Sequence, residues 1–175
     1  MFKNKVIISL LSTFFIVGLL AMVVYYVKFR QNTGPSHAGT IKVQLVSTTS
    51  TVKKNDVFNV DVYLDTQGVP VTGADIRVRY DPAKLVATSV TPGNFLPVVF
   101  VPGKINVSSA LVQLVLGANL PNPANGTGIL AHIKFKVISQ GTRAHIYTGP
   151  DTAISTVGSA GNVMGVPGEI FITIQ

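Results

Sequence analysis

The sequence predicts an all-β sandwich or barrel that follows one membrane-spanning helix. Two observations lead to this prediction. An uncharged, strongly apolar stretch fills most of residues 1–30, and from Ile41 onward apolar and polar residues alternate in short runs. Clusters of Gly, Pro, Asn and Asp separate those runs, as turns separate strands. Because no later stretch has the apolar period of an amphipathic helix, the rest of the chain is predicted to consist of strands.

The N-terminal segment has the length of a transmembrane helix. No charged residue occurs from Val6 to Val27, and these 22 residues extend about 33 Å as a helix, enough to cross the core of a bilayer. A cleaved signal peptide is the alternative. However, the run is long for one, and Leu19 two positions before Ala21 makes a poor cleavage context. We therefore expect an uncleaved, single-pass anchor in the cell membrane, with residues 6–27 in the lipid bilayer and the domain on the extracytoplasmic side.

The chain divides into three predicted parts: an anchor at residues 1–30, a polar linker at residues 31–39 and one domain at residues 40–175. Four of the 14 basic residues flank the anchor, which leaves ten basic against seven acidic residues in the rest. A net charge of +3 is typical of a solvated surface, and no nucleic-acid partner is expected. The chain has no cysteine, so the domain depends on its core and not on disulfides.

Ten short runs are predicted to be strands. In most runs, residues of high β-propensity recur with a period of two, and a turn cluster or a proline ends the run. The runs are Ile41 to Ser47, Phe58 to Asp65, Ala74 to Tyr80, Leu85 to Val90, Val98 to Val101, Ile105 to Val107, Ala110 to Leu116, Ile129 to Ile138, His145 to Thr148 and Ile170 to Ile174. Their spacing favours a sandwich in which each strand has one buried face.

Two of these runs predict which side chains face the core. In the second run the predicted core residues are Phe58, Val60, Val62 and Leu64. In the eighth run the predicted core residues are Ile129, Ala131, Ile133, Phe135 and Val137, and the predicted outward residues are Leu130, His132, Lys134 and Lys136. Both patterns are those of half-buried strands.

Five motifs follow one another through residues 40–175 in an order that identifies a family. They are Lys54-Asn-Asp-Val-Phe-Asn-Val-Asp-Val62, Gly73-Ala-Asp-Ile-Arg-Val-Arg-Tyr-Asp-Pro82, a strand from Leu85 that leads to Thr91-Pro-Gly93, Gly126-Thr-Gly-Ile-Leu-Ala-His-Ile-Lys-Phe-Lys-Val137 and Gly168-Glu-Ile-Phe-Ile-Thr-Ile174. This order resembles the cohesin domain. The resemblance implies a nine-stranded jelly-roll β-sandwich that binds dockerin domains. The same sandwich occurs in carbohydrate-binding modules of the family 2 and 3 types.

The resemblance also implies which face binds the partner, namely the face made by the third, fifth, sixth and eighth strands. The third strand here is Asp75 to Tyr80, and its outward residues are Asp75, Arg77 and Arg79. Type I cohesins often carry an Asn-x-Asp pair at the start of this strand. Asp75 stands at the second position of that pair, but Gly73 stands at the first, so the sequence departs from the type I pattern.

The run from Ala110 to Leu116, which takes the place of the sixth strand in the order implied by the resemblance, is apolar at nearly every position. If Gln113 faces water, Leu111 and Val115 do so as well, because all three have the same phase in the strand. An apolar stripe beside two arginines is then predicted to be the centre of a protein-binding surface. The alternative is that the loop from Leu120 to Gly128 covers this strand and buries both of its faces.

The histidines and carboxylates predict no catalytic or metal site. His37 lies in the linker and His132 lies among lysines, and neither has a partner at ligand spacing. Asp61 and Asp65 share a strand face but lie about 13 Å apart, which is too far for a glycosidase pair. No nucleotide-binding or hydrolase fingerprint occurs in the sequence. We therefore expect neither an enzyme nor a cofactor.

The favoured function is a membrane-anchored, extracytoplasmic module that docks a dockerin-type or other secreted domain, with a link to polysaccharide degradation. A non-catalytic module that binds polysaccharide on the same fold is the first alternative. It lacks aromatic platforms, because the domain has no tryptophan and Tyr63 is the one tyrosine predicted to lie outward alone, while Tyr80 is predicted to be in the core. A structural subunit of the cell envelope is the second alternative.

Overall fold

The computed structural model describes residues 41–159 and 161–175, and it shows an all-β sandwich without a helix in these residues. The predicted anchor and linker, residues 1–30 and 31–39, lie outside the described residues. Within the described part of the chain, no helix is long and apolar enough to cross a membrane.

The described residues form twelve strands. They are β1 (Ile41–Ser47), β2 (Thr51–Val52), β3 (Val57–Asp65), β4 (Val71–Tyr80), β5 (Leu85–Pro92), β6 (Val98–Asn106), β7 (Leu111–Gly117), β8 (Thr127–Val137), β9 (Arg143–Thr148), β10 (Ala153–Thr156), β11 (Met164–Val166) and β12 (Glu169–Ile174). Nine of them have six or more residues, which is the number of strands that the family resemblance implies. The other three, β2, β10 and β11, are short additions.

The strands are arranged in two mixed sheets. The first sheet has the order β11-β1-β3-β8-β5, and the second has the order β2-β12-β9-β4-β7-β6, with β10 also paired to β4. Most pairs are antiparallel, whereas β11 with β1 and β2 with β12 are parallel. The long strands other than β6 turn apolar side chains inward, and β6 adds the partly buried Ile105, so the two sheets share one core. Phe135 of the first sheet contacts Tyr80 of the second at 5.4 Å between ring centroids, which confirms Tyr80 as a core residue.

Two of the predicted runs, Val98 to Val101 and Ile105 to Val107, are parts of the single strand β6. Its pairing with β7 shifts register on both sides of Val101. These irregularities accommodate Pro102 and Gly103, which the sequence suggests as a break, and β6 lies at the edge of its sheet, where proline is tolerated.

The predicted alternation is wrong at one end of β8. Leu130 is fully buried, and Ile129 is half-buried on the outer side, which is the reverse of the expectation. The cause is a β-bulge, because Val62 of β3 pairs with Ala131 while the next residue, Tyr63, pairs with Ile129. Leu130 is therefore the extra residue, and the phase of the strand changes there.

The strands β9 and β10 divide the length of β4 between them. β10 pairs with the first half of β4, from Val71 to Asp75, and β9 pairs with the last part, from Val78 to Tyr80. The gap between these two pairings falls beside Arg77. The loop that joins β9 to β10 therefore lies beside Arg77, in the gap between these two pairings at the middle of β4.

Candidate partner-binding face

The six predicted partner-binding residues form one block on the outer face of the second sheet. Across the β4–β7 ladder the opposed pairs are Asp75 with Val115, Arg77 with Gln113 and Arg79 with Leu111. All six side chains are half-buried, whereas the residues between them are fully buried: Ile76, Val78, Val112 and Leu114. The structure therefore brings the six residues together in three adjacent rows, and we call them the six-residue block.

The covering loop that the sequence allows as an alternative does not bury this block. The segment from Ala118 to Gly126 bonds to the beginning of β4, where Ala124 and Val71 exchange two backbone hydrogen bonds of 2.8 Å each. This contact lies at the end of the sheet. Leu111, Gln113 and Val115 therefore keep their outer sides partly open to solvent.

Asp151, in the loop between β9 and β10, ties the two arginines of the block together. Its Oδ2 lies 2.8 Å from a guanidinium nitrogen of Arg77 and 3.4 Å from one of Arg79. Arg77 also lies 3.0 Å from the carboxylate of Asp75. The side-chain amide of Gln113 donates to the same carboxylate at 3.3 Å. The centre of the block is thus a network in which two carboxylates neutralise two arginines.

The network changes the acid–base properties of its members. Hydrogen bonds to Asp75 and then to Asp151 raise the pKa of the Arg77 guanidinium above its ordinary value. Partial burial opposes the charge of Asp151, but the Arg77 hydrogen bond and the nearby Arg79 charge outweigh it and lower the pKa of the Asp151 carboxyl. Both groups are therefore charged at neutral pH.

Backbone contacts hold this loop against β4 in the gap beside Arg77. The N–H of Gly149 donates to the Arg77 carbonyl at 2.6 Å. The Thr152 hydroxyl accepts from the Arg77 N–H and donates to its carbonyl, each at 3.1 Å. A Cβ at position 149 would lie 2.4 Å from the Asp151 carboxylate and 3.2 Å from Nε of Arg79, so a larger residue there would displace the carboxylate. The sequence Gly-Pro-Asp suggests a turn, and nothing in it indicates that the turn places a carboxylate against this block.

A stack of side chains on β9 and β12 continues the same face beyond Arg79. Tyr147 pairs with Arg79 across the ladder, and its ring lies 4.7 Å from the His145 ring. His145 in turn stacks on Phe171 at 4.4 Å and at an interplanar angle of 9°. Arg143 lies over Phe171, with 4.2 Å between the guanidinium carbon and the ring centroid. Alternation within each strand could have predicted these outward positions, but only the β9–β12 pairing brings the rings together.

The described residues contain no group of three or more His, Asp or Glu side chains that could hold a metal ion. His132 contacts Asp61, with 2.7 Å between Nδ1 and Oδ1, on the outer face of the first sheet. This pair lies on the opposite side of the sandwich from the six-residue block, because β3 and β8 belong to the first sheet.

The family model of the cohesin domain matches residues 41–172, which is most of the chain. The chain belongs to the cohesin family. A cohesin module is a non-catalytic binding module. The comparison with curated proteins found no match.

Solved cohesin structures share the fold of this cohesin domain at low sequence identity. A ScaC cohesin of Acetivibrio cellulolyticus, in complex with the ScaB dockerin and described as a type I interaction, is 20% identical with a TM-score of 0.61, covering 76% of this chain and 99% of the other. A type II cohesin from the same organism, in complex with an X-dockerin, is 14% identical with a TM-score of 0.62, covering 78% and 100%. A non-cellulosomal cohesin of Archaeoglobus fulgidus is 15% identical with a TM-score of 0.58, covering 77% and 91%.

The strand order of this cohesin domain places the six-residue block where the resemblance implies a partner. Counted among the nine long strands, the third, fifth, sixth and eighth are β4, β6, β7 and β9. These four strands are neighbours in the second sheet, in the order β9-β4-β7-β6. The four strands therefore present one continuous outer face, with the block at its centre and the β9–β12 stack at one side.

Proposed function

We propose that this cohesin domain binds a dockerin-type module through the outer face of β9, β4, β7 and β6. The six-residue block carries the proposal, because it places Leu111 and Val115 beside two arginines on one side of the sandwich. Apolar groups next to arginines are typical of protein–protein interfaces. The solved relatives with a bound dockerin, although only 20% and 14% identical, support this class of partner.

The ion pairs indicate which arginine is the more available to a partner. Arg77 has two close carboxylate contacts, at 2.8 and 3.0 Å. Arg79 has one longer contact of 3.4 Å, and it lies directly opposite Leu111. We therefore expect Arg79 and Leu111 to contribute most of the block's binding energy, while Arg77 mainly holds the Asp151 loop in place.

The proposal is tested by titrating residues 40–175 with calcium-loaded dockerins. The panel contains the ScaB dockerin and the ScaA X-dockerin of A. cellulolyticus, together with the dockerin-type segments encoded in the genome that encodes this chain. For any dockerin that binds, Leu111→Asp and Arg79→Glu should each weaken binding by about 2 kcal/mol or more, as expected for an interface anchor.

Matched controls lie on the outer face of the first sheet. Val57 is 55% exposed on β3, so Val57→Asp makes a similar apolar-to-acidic change there. Lys134→Glu on β8 repeats the charge reversal of Arg79→Glu. We expect both controls to bind like the wild type and all four variants to retain the far-UV circular dichroism of the domain. If no dockerin binds, or if the controls lose as much affinity as the two test variants, the proposal is wrong.

We further propose that residues 6–27 anchor the domain as a single-pass segment, with the domain on the extracytoplasmic side of the cell membrane. The uncharged 22-residue run supports this location. A link to polysaccharide degradation would then come through the partner that the domain docks. Fractionation of the full chain tests the anchor, because an anchored protein stays with membranes after an alkaline wash and is degraded by protease added outside the cell. Release into the soluble fraction would contradict it.

A further inference from the structure

Phe100 is an exposed aromatic residue that lies on the outer face of the second sheet. A Cβ built on Gly117 of β7 would lie 2.3 Å from Cε2 of Phe100 and 2.8 Å from Cζ, so the ring occupies the space above this glycine. Phe100 is nevertheless 65% exposed. It is the residue skipped in the register shift between Val99 and Val101, and this irregularity turns its side chain over β7.

The strands next to this ring carry little side-chain bulk. Gly73 of β4 pairs with Gly117 of β7, so two adjacent strands have no side chain in this row. On the other side of β4, Ser155 of β10 pairs with Gly73. The outer surface of this row is therefore formed largely by backbone, and the Phe100 ring lies at its end. We call the row of Ser155, Gly73 and Gly117 the glycine row.

The row next to the glycine row carries mostly small or apolar side chains. Val115 of β7 pairs with Val101 of β6, and Ala153 of β10 pairs with Asp75 of β4. Asp75 is the one ionisable member of these two rows. Its carboxylate is occupied by Arg77 at 3.0 Å and by Gln113 at 3.3 Å.

A charged group of a partner would therefore lose its hydration at the glycine row without meeting an opposite charge. Such a loss is unfavourable, whereas an apolar side chain placed against Phe100 and Val115 gains from burial. The row also continues into the proposed docking face, because Gly73 and Gly117 directly precede and follow the block on β4 and β7.

We infer that the partner of this domain inserts an aliphatic or aromatic side chain at the glycine row, against Phe100, and that this contact decides which dockerin-type module is accepted. The inference rests on the proposed docking function, since it assumes that the partner covers this face.

A display library tests this inference directly. The surface positions of the ScaB dockerin helices are randomised, and clones are selected on residues 40–175 of the wild type. We expect selected clones to be enriched in Leu, Ile, Met, Val or Phe at one position at least. Those clones should bind about tenfold or more weakly to the variants Phe100→Ser and Gly73→Asn. Gly73→Asn keeps Phe100 and adds a side chain to the glycine row, so this variant alone tests the inference if Phe100→Ser does not fold.

The control and the outcomes separate this inference from the proposed function. Val57→Ser, on the first sheet, should bind the selected clones like the wild type. Selected clones that carry polar contact residues throughout, or apolar clones that bind both variants as tightly as the wild type, overturn the inference and leave the proposed function intact. If neither the library nor the natural dockerins yield a binder, the proposed function fails, and the inference fails with it.

Discussion

At the scale of single residues, Asp151 neutralises the net positive charge of the six-residue block. Its carboxylate contacts both Arg77 and Arg79, and it is brought there by Gly149, which alone leaves room for it. Surface ion pairs usually contribute little, but this carboxylate is shared by two arginines and is two-thirds buried. Asp151 and Gly149 therefore act as a unit that presets the face before any partner arrives.

The first residue-scale prediction concerns Asp151→Asn. We expect the variant to lose about 0.5–1 kcal/mol of unfolding free energy at pH 7, because both arginines lose a charged partner. The lowered pKa of Asp151 makes this contribution complete above about pH 4, the ordinary aspartate value, and removes it as the pH falls through the lower folded value. Urea unfolding of wild type and variant between about pH 7 and pH 2 measures the difference.

The matched control for this measurement is Asp65→Asn. Asp65 accepts a hydrogen bond from the backbone of Gln67 at 3.0 Å and has no ion pair among the described residues. Its substitution should change the unfolding free energy at neutral pH much less than Asp151→Asn does. A difference between wild type and Asp151→Asn that stays constant down to low pH would contradict the account of this carboxylate.

The second residue-scale prediction concerns Gly149→Ala. The added Cβ would lie 2.4 Å from the Asp151 carboxylate, so the carboxylate or the loop must move. We expect a loss of about 1–3 kcal/mol in unfolding free energy, the usual cost of an overpacked site. Gly161→Ala is the control, because a Cβ there meets no atom within 4 Å. Equal midpoints of urea unfolding for the two variants would show that position 149 is not crowded.

At the scale of elements, the sequence predicts the long strands, but it does not predict the bulge in β8 or the short strands. β1 has the predicted bounds, and the inward residues of β3 are those that alternation predicts, because period-two burial is a local property. The bulge in β8 depends on the strand opposite, so no local pattern predicts it, whereas Pro102 and Gly103 mark the irregularity of β6 in the sequence. The short strands β2, β10 and β11 form only through pairing, and β11 lies partly in a Gly/Pro cluster that suggests a turn.

The bulge in β8 gives the element-scale prediction. Leu130→Ala should lower the unfolding free energy by about 2–5 kcal/mol, because Leu130 is fully buried and its truncation leaves a cavity. Ile129→Ala, one position away, should cost about 1 kcal/mol, because this side chain is half-exposed. Denaturant unfolding of the pair measures both values. Strict alternation predicts the opposite order, so a larger loss for Ile129→Ala would show that the bulge is absent.

At the scale of the whole molecule, the docking face combines predicted and unpredicted parts. Alternation predicts the phase of Arg79 and Leu111 within their strands, and the family resemblance puts their two strands on one face. In the structure Arg79 pairs with Leu111 across the β4–β7 ladder. The sequence does not predict Asp151, Phe100 and the β9–β12 stack, because a loop packed beside β4, a register shift and a strand pairing bring them to the face. These are long-range features that a single sequence does not display.

The central claim is that a dockerin-type module covers the outer face of the second sheet. The most direct measurement is hydrogen exchange on residues 40–175, with and without a bound calcium-loaded dockerin. The account predicts slower exchange in β4, β7 and the Asp151 loop of the complex, with β3 and β8 of the first sheet unchanged. Protection confined to β3 and β8, or the absence of binding by any dockerin in the panel, would contradict it.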